Sequence, residues 1–280
     1  MDLVDAVADA RRRLAELVLS ERFDVARGAL IVAAEEYPDL DEPSYVRKLD
    51  ALAAGVSRTL PAKAKAERIV EALHRHLFTD LGFSGNSGDY YDPKNSFLNE
   101  VIDRRTGLPI TLAIVYVEVA RRLGLRASGV GFPGHFLAKI ELDEGDLVVD
   151  AFNGGAFLSE ADIRGLLHNA VGDAVQLSET VLRPATSREI LGRMLQNLKA
   201  LYLRKGDTPR ALSATDRLLI VRPDSTGELR DRGLLCEKLG GTEAARRDLT
   251  EYLARAPDAD DADEVRATIR RLRDRRPLLN

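Results

Sequence analysis

The chain has 280 residues, 45% hydrophobic and 31% charged, the make-up of a globular protein long enough for two domains of about 100–200 residues each. Its 41 basic and 45 acidic residues leave a formal charge of −4, which excludes the basic field that a nucleic-acid binder uses to displace counterions. One cysteine, Cys236, excludes an internal disulfide and a cysteine-built zinc site and points to a reducing compartment.

The N-terminus, MDLVDAVADARRRLAEL, is acidic and amphipathic, without the apolar core of a signal peptide. No run reaches the roughly 18 apolar residues of a membrane span, so no membrane partner is expected and the predicted location is cytoplasmic. Residues 1–77 are predicted as a helical region packed on the core. DAVADARRRLAELV, FDVARGALIVAAEEY and, after a break at Pro38, EPSYVRKLDALAAGVSRTL repeat apolar residues at helical spacing. A fourth helix is predicted to open at Pro61, where a missing N–H costs nothing.

Residues 78–185 are predicted as an α+β core. GFSGNSGDYYDPKNSFLN, from Gly82 to Asn99, reads as a polar loop of the kind that often carries function. A helix from Pro109 to Gly124 follows, apolar nearly all round at its start and therefore buried. RASGVGFPGHFLAKIEL and DLVVDAF read as two strands separated by the turn signal Asp143-Glu144-Gly145. FNGGAFLSEADI reads as a turn leading to a helix capped by Ser159 with Asp162, not as a phosphate cradle.

Residues 186–280 repeat. Gly206 and Gly240, Ala211 and Ala245, Leu219 and Leu253, and Pro223-Asp224 and Pro257-Asp258 each lie 34 positions apart. That period predicts two tetratricopeptide units, 190–223 and 224–257, with DADEVRATIRRLRDRR as a capping helix. Such units dock extended or helical segments of other proteins, so a protein or peptide partner is expected at this tail.

Acyl transfer needs a nucleophile at a helix start, a His to take its proton and an acid to orient the His. His135 in PGHF and Asp150 in VVDAF would share a face if Leu137 lies opposite Asp150, whereas a one-residue slip would part them. Turns of two, three or four residues at Gly145 all fit, so the register stays open. Tyr90, Tyr91, Asn95, Ser96 and Asn99 are candidate pocket residues, although Asn and Asp also build turns and tyrosines also pack with a wet hydroxyl. Thr111 is a weak candidate nucleophile, since Thr near a helix start commonly bonds the backbone. Cys236 aligns with Tyr202 in the repeat and is expected to pack. His74 and His76 sit two apart on a helix and face apart, the sequence alone identifies no partner for His168, and neither a metal nor a cofactor is predicted.

The order of a helix-starting Gly-Leu-Pro, then Gly-His-Phe and Val-Asp-x-Phe on strands, is similar to the transglutaminase-like, papain-like core. EEYPDLD, DYYDPKNSFLNEVIDRRTGLPITLAIVYVEVARRLGL, GVGFPGHFLAKI and DAFNGG, followed by the repeats, resemble the SirB-type family of bacterial transglutaminase-like proteins over nearly the whole chain. The resemblance implies His135 as base, Asp150 as its orienting acid, and Pro109 in place of the cysteine nucleophile. It also implies that a Gly-Leu-Pro start is usual in that family.

Three functions follow as expectations. The first is a binding or regulatory protein without thiol chemistry, holding a small amide or peptide in the core cleft and a protein at the repeats. The second is a hydrolase or amide-group transferase in which His135 and Asp150 act as general base without a thiol. The third is a dyad that is only a buried structural bond.

Overall fold

The computed structural model describes residues 3–20 and 23–274. The chain divides into two compact units, Met1–Met194 and Leu195–Asn280.

In the first unit, helices α1 (Leu3–Leu19), α2 (Val25–Ala34), α3 (Glu42–Ser57) and α4 (Ala66–His74) come first. α2 is buried at every position except Arg27, as its near-continuous apolar sequence requires, and it packs among α1 and α3. Side-chain caps from Asp24 and Asp41 satisfy the orphan N–H groups at the starts of α2 and α3. α4 begins at Ala66, not at Pro61. Lys63 has φ of 65°, a left-handed conformation that no helix contains, so Pro61 lies in a turn before the helix.

The loop from Gly82 carries more structure than its composition suggests. β1 (Ser84–Gly85) pairs in parallel with β2 (Thr106–Gly107), with a 3-10 turn at Pro93–Ser96 and helix α5 (Leu98–Arg104) in between. α6 (Pro109–Arg122) follows and is buried continuously from Pro109 to Ala120, so it forms the axis of this unit. Each large aliphatic it buries is worth about 1.5–3 kcal/mol.

A four-stranded antiparallel meander packs on α6 in the order β3 (Arg126–Val130), β4 (Leu137–Leu142), β5 (Gly145–Asp150), β6 (Ala156–Leu158). The stretch predicted as one strand, RASGVGFPGHFLAKIEL, is two strands. Pro133 cannot donate to a ladder, and Gly134 takes φ of 66°, so the chain reverses there. α7 (Glu160–Val171) starts at the Ser159–Asp162 capping box and covers the sheet through Ile163 and Leu167, which pack with Val130, Phe132, Leu137 and Val148. The unit ends with the first residues of α8 (Ser187–Arg204).

The second unit holds the remainder of α8 with α9 (Thr208–Val221), α10 (Thr226–Lys238), α11 (Thr242–Arg255) and α12 (Ala262–Asp274). The repeat period is visible in the backbone. Asp207 N donates to Tyr202 O at 2.9 Å and Gly241 N to Cys236 O at 2.8 Å, each pair 34 residues from the other. Gly206 and Gly240 both take positive φ, at 71° and 82°, where a side chain would be strained. Leu229, Ala245, Leu249, Tyr252, Val265, Ile269 and Leu272 form the core of the second repeat and its capping helix.

Candidate functional site

The hairpin between β4 and β5 turns in two residues, because Leu142 pairs with Gly145. The register then sets Ala138 against Val149, and one step further Leu137 lies opposite Asp150. His135, in the turn just before β4, therefore reaches the face of Asp150. Its own backbone N–H is fixed on the Phe132 carbonyl at 3.1 Å. Nε2 of His135 stands 2.9 Å from Oδ1 of Asp150, but the oxygen lies off the N–H direction, so the contact is close without being an aligned hydrogen bond. Catalytic contacts in ligand-free proteins often have this looseness.

Asp150 is saturated on its other sides. Oδ1 accepts the N–H groups of Phe152 at 3.0 Å and Asn153 at 3.2 Å, and Oδ2 accepts Nδ2 of Asn153 at 2.7 Å. Burial pushes its pKa up. The close approach of His135 and the hydrogen bonds from Asn153 outweigh burial and hold the carboxyl below its ordinary range. An ionised Asp150 fixed this firmly can orient an imidazole, but it has little freedom left to act as a base itself.

Aromatic rings extend the site outward. Phe152 meets His135 edge-on at 6.2 Å and Tyr90 at 5.9 Å, and Tyr90 meets Tyr91 at 5.4 Å. Tyr90 and Tyr91 are 41% and 48% exposed, so they form a rim rather than a core. Gly85 makes room for Phe152, whose ring lies 2.5 Å from where a Cβ would stand. Tyr90 is held from behind by Asn95, which is fully buried. Its Nδ2 donates to the carbonyls of Asp89 at 2.8 Å and Tyr90 at 3.3 Å, and its Oδ1 accepts from Asn86. Ser96 and Asn99 are also buried, and neither the Ser96 hydroxyl nor Asn99 Oδ1 has a hydrogen-bond partner among the described residues.

Residues 43–196 match the family pattern described as the transglutaminase-like superfamily. The chain belongs to the transglutaminase-like superfamily. Residues 198–270 match a tetratricopeptide-repeat pattern. The chain is 41% identical to a UPF0162 protein of Xylella fastidiosa (strain 9a5c), over 88% of this chain and 89% of that one. It is 30% identical to one from Pseudomonas aeruginosa over 89% and 91%, and 28% identical to one from Escherichia coli (strain K12) over 86% and 90%. No solved structure matches it.

In this transglutaminase-like domain Pro109 is buried at the first position of α6, where the absent N–H leaves no orphan donor. Thr111, two residues on, is fully buried. Its hydroxyl accepts the Leu108 N–H at 3.0 Å and faces the carbonyls of Asn95 at 2.8 Å and Leu108 at 3.1 Å, so its donor and acceptor capacity serves the helix start and the loop. Cys236 is half-buried in the second unit, where burial, with Asp248 and Asp216, pushes the thiol pKa up despite Arg232 and Arg247. A thiol so placed is poorly ionised at neutral pH.

His74 stacks on Phe157 at 4.8 Å, and burial lowers its pKa, whereas His76 lies against Gly55. Among the described residues no three His, Cys, Asp or Glu side chains converge as a metal requires, and no helix is long and apolar enough to cross a membrane.

One neighbour of the dyad escapes sequence reasoning. Arg193 on α8 donates Nη1 to the Phe132 carbonyl at 2.9 Å, the same oxygen that accepts the His135 N–H. The available signal was a cation set between Leu191 and Met194, which are buried. Only the tertiary fold shows that it borders His135.

Proposed function

We propose that the cleft bounded by His135, Phe152, Tyr90 and Tyr91 is a binding site for a peptide or small amide. In this reading the chain is a binding or regulatory protein without thiol catalysis, whose repeat tail docks a protein partner. Pro109 carries this reading: at the helix start where the resemblance places a cysteine stands a residue with no nucleophilic atom. The engagement of Thr111 with Asn95 and the raised pKa of the Cys236 thiol support it, because neither offers an activated nucleophile. The domain limits proposed are 1–77, 78–185 and 186–280, with a SirB-type affiliation and a cytoplasmic setting, the latter supported by one cysteine in 280 residues.

The close contact between His135 and Asp150 favours one alternative, in which the imidazole takes a proton from water, a hydroxyl or an amine that attacks an amide directly. The two are separated by incubating the full chain with a glutamine-containing peptide and a primary amine. Binding without turnover, and an intact mass free of adduct, is the expected result. Ammonia release or amine incorporation that disappears in His135→Gln at unchanged melting temperature would overturn it in favour of the enzyme.

A further inference from the structure

Arg193 is half-buried, yet no carboxylate stands within ion-pair distance of it among the described residues. Its contacts are the Phe132 carbonyl at 2.9 Å and the Phe136 ring, whose centroid lies 5.7 Å from the guanidinium carbon. Burial pulls its pKa down, and among the described residues Tyr90 opposes that shift. The same proximity appears from the other side. Burial and Tyr91 push the Tyr90 hydroxyl up while Arg193 pulls it down. A partly desolvated cation without a counter-charge is costly to the fold, and an anionic ligand would offset that cost.

The guanidinium also has free donors. Nη1 is taken by Phe132, but Nε and Nη2 have no acceptor among the described residues and are not sealed from solvent. Arg193 and the His135 N–H share the Phe132 carbonyl, so the guanidinium lies beside the His135 backbone, close enough to the Tyr90 hydroxyl for each to influence the other's charge. Two open N–H groups in a planar fork match the two oxygens of a carboxylate.

We propose that Arg193 anchors the carboxylate of a ligand whose amide lies against His135, so that the site takes a peptide end or an acyl amino acid rather than an internal, neutral stretch of chain. This deepens the binding reading above and rests on it.

Two probes that differ only in that group test it on the full chain: N-acetyl-L-glutamine, with one carboxylate, and neutral N-acetyl-L-glutaminamide. The His135 ring signals, assigned among the four histidines by their loss in His135→Gln, report binding by NMR. The carboxylate probe is expected to shift them saturably and to bind Arg193→Gln weaker by about tenfold or more, the loss typical of a hydrogen bond to a charged group. The neutral probe should bind both proteins alike. Arg193→Lys, which keeps the charge without the fork, should fall between and serves if Arg193→Gln lowers melting. Equal affinity of the two probes, unchanged by Arg193→Gln, would overturn the carboxylate anchor and leave the binding cleft standing. If neither probe moves His135 in the native chain, the cleft and the anchor both fail.

Discussion

The Thr111 hydroxyl bonds the carbonyl of Asn95, 16 residues earlier in the chain, at 2.8 Å, and the Leu108 N–H reaches the same carbonyl at 3.3 Å. The start of α6 and the loop that carries Tyr90 are thereby clamped together, and Asn95 passes the constraint on through its bonds to Asp89 and Tyr90. The tyrosine rim is thus a product of helix capping. Thr111→Val leaves the Leu108 N–H and the Asn95 carbonyl only their longer bond to each other, so it should cost about 0.5–1.5 kcal/mol for each hydroxyl bond lost, read as a lower urea midpoint at constant slope. Thr111→Ser, which keeps the oxygen, should cost distinctly less. A larger loss in Thr111→Ser than in Thr111→Val would mean that packing of the methyl group, and not the clamp, dominates at this position.

Asp150 predicts a pH dependence with a definite sign. Its folded pKa lies below the ordinary carboxylate value, so the folded state holds fewer protons there than the unfolded chain. Its stabilisation is fully present above the unfolded pKa, about 3.9, and is lost as pH falls through the depressed folded value. Unfolding midpoints measured between neutral pH and strongly acid conditions should drop in that acid window, and Asp150→Asn should flatten this part of the curve while lowering stability at neutral pH. An unchanged acid limb in the variant would assign the loss to other carboxylates.

The residues that were legible from the sequence and those that were not differ in the range of the interaction that places them. Gly206 and Gly240, 34 residues apart, mark the same turn because each sits at a helix end whose backbone needs positive φ, a local demand written locally. The buried length of α6 is likewise plain in its unbroken apolar run. His135 is different. Its surroundings read as strand, and the reversal at Pro133-Gly134 becomes visible only once β3 and β4 are seen to pair with each other. The register that brings it to Asp150 depends on choosing a two-residue turn among several that fit. Arg193 belongs to a helix more than 50 residues beyond His135, and nothing in its neighbourhood along the chain announces the Phe132 carbonyl. Asn95 reads as a turn former, although its amide is the fixed point around which the loop is built.

Gly85 offers a way to disturb the site without touching its polar groups. A Cβ there would stand 2.5 Å from the Phe152 ring, closer than real contacts permit, and Phe152 is the ring between His135 and Tyr90. Gly85→Ala should therefore displace Phe152 at a cost of about 1–3 kcal/mol, as overpacking usually does, and should shift the His135 ring signals. A companion change, Gly88→Ala, meets no atom within 4 Å and should leave both readouts unaltered. Were Gly85→Ala as silent as Gly88→Ala, Phe152 would not be held in place by its close packing on Gly85.

In the second unit, Lys199 carries the charge balance between α8 and α10. Its ammonium, on a residue only 8% exposed, bonds both Glu228 and Asp231. Asp231 has a second cation in Arg230, whereas Glu228 has no other cationic partner among the described residues. Lys199→Met preserves the length of the side chain but strands the Glu228 carboxylate, which is itself 8% exposed. Removing one member of a buried pair typically costs about 3–5 kcal/mol, so unfolding of the repeat unit should shift to markedly lower denaturant. Adding Glu228→Gln removes the stranded charge and should restore most of the loss, giving a strong favourable coupling in the double-mutant cycle. Additive losses would instead mean that Lys199 and Glu228 act independently, and that α8 and α10 are held by the apolar contacts between them rather than by the ion pair.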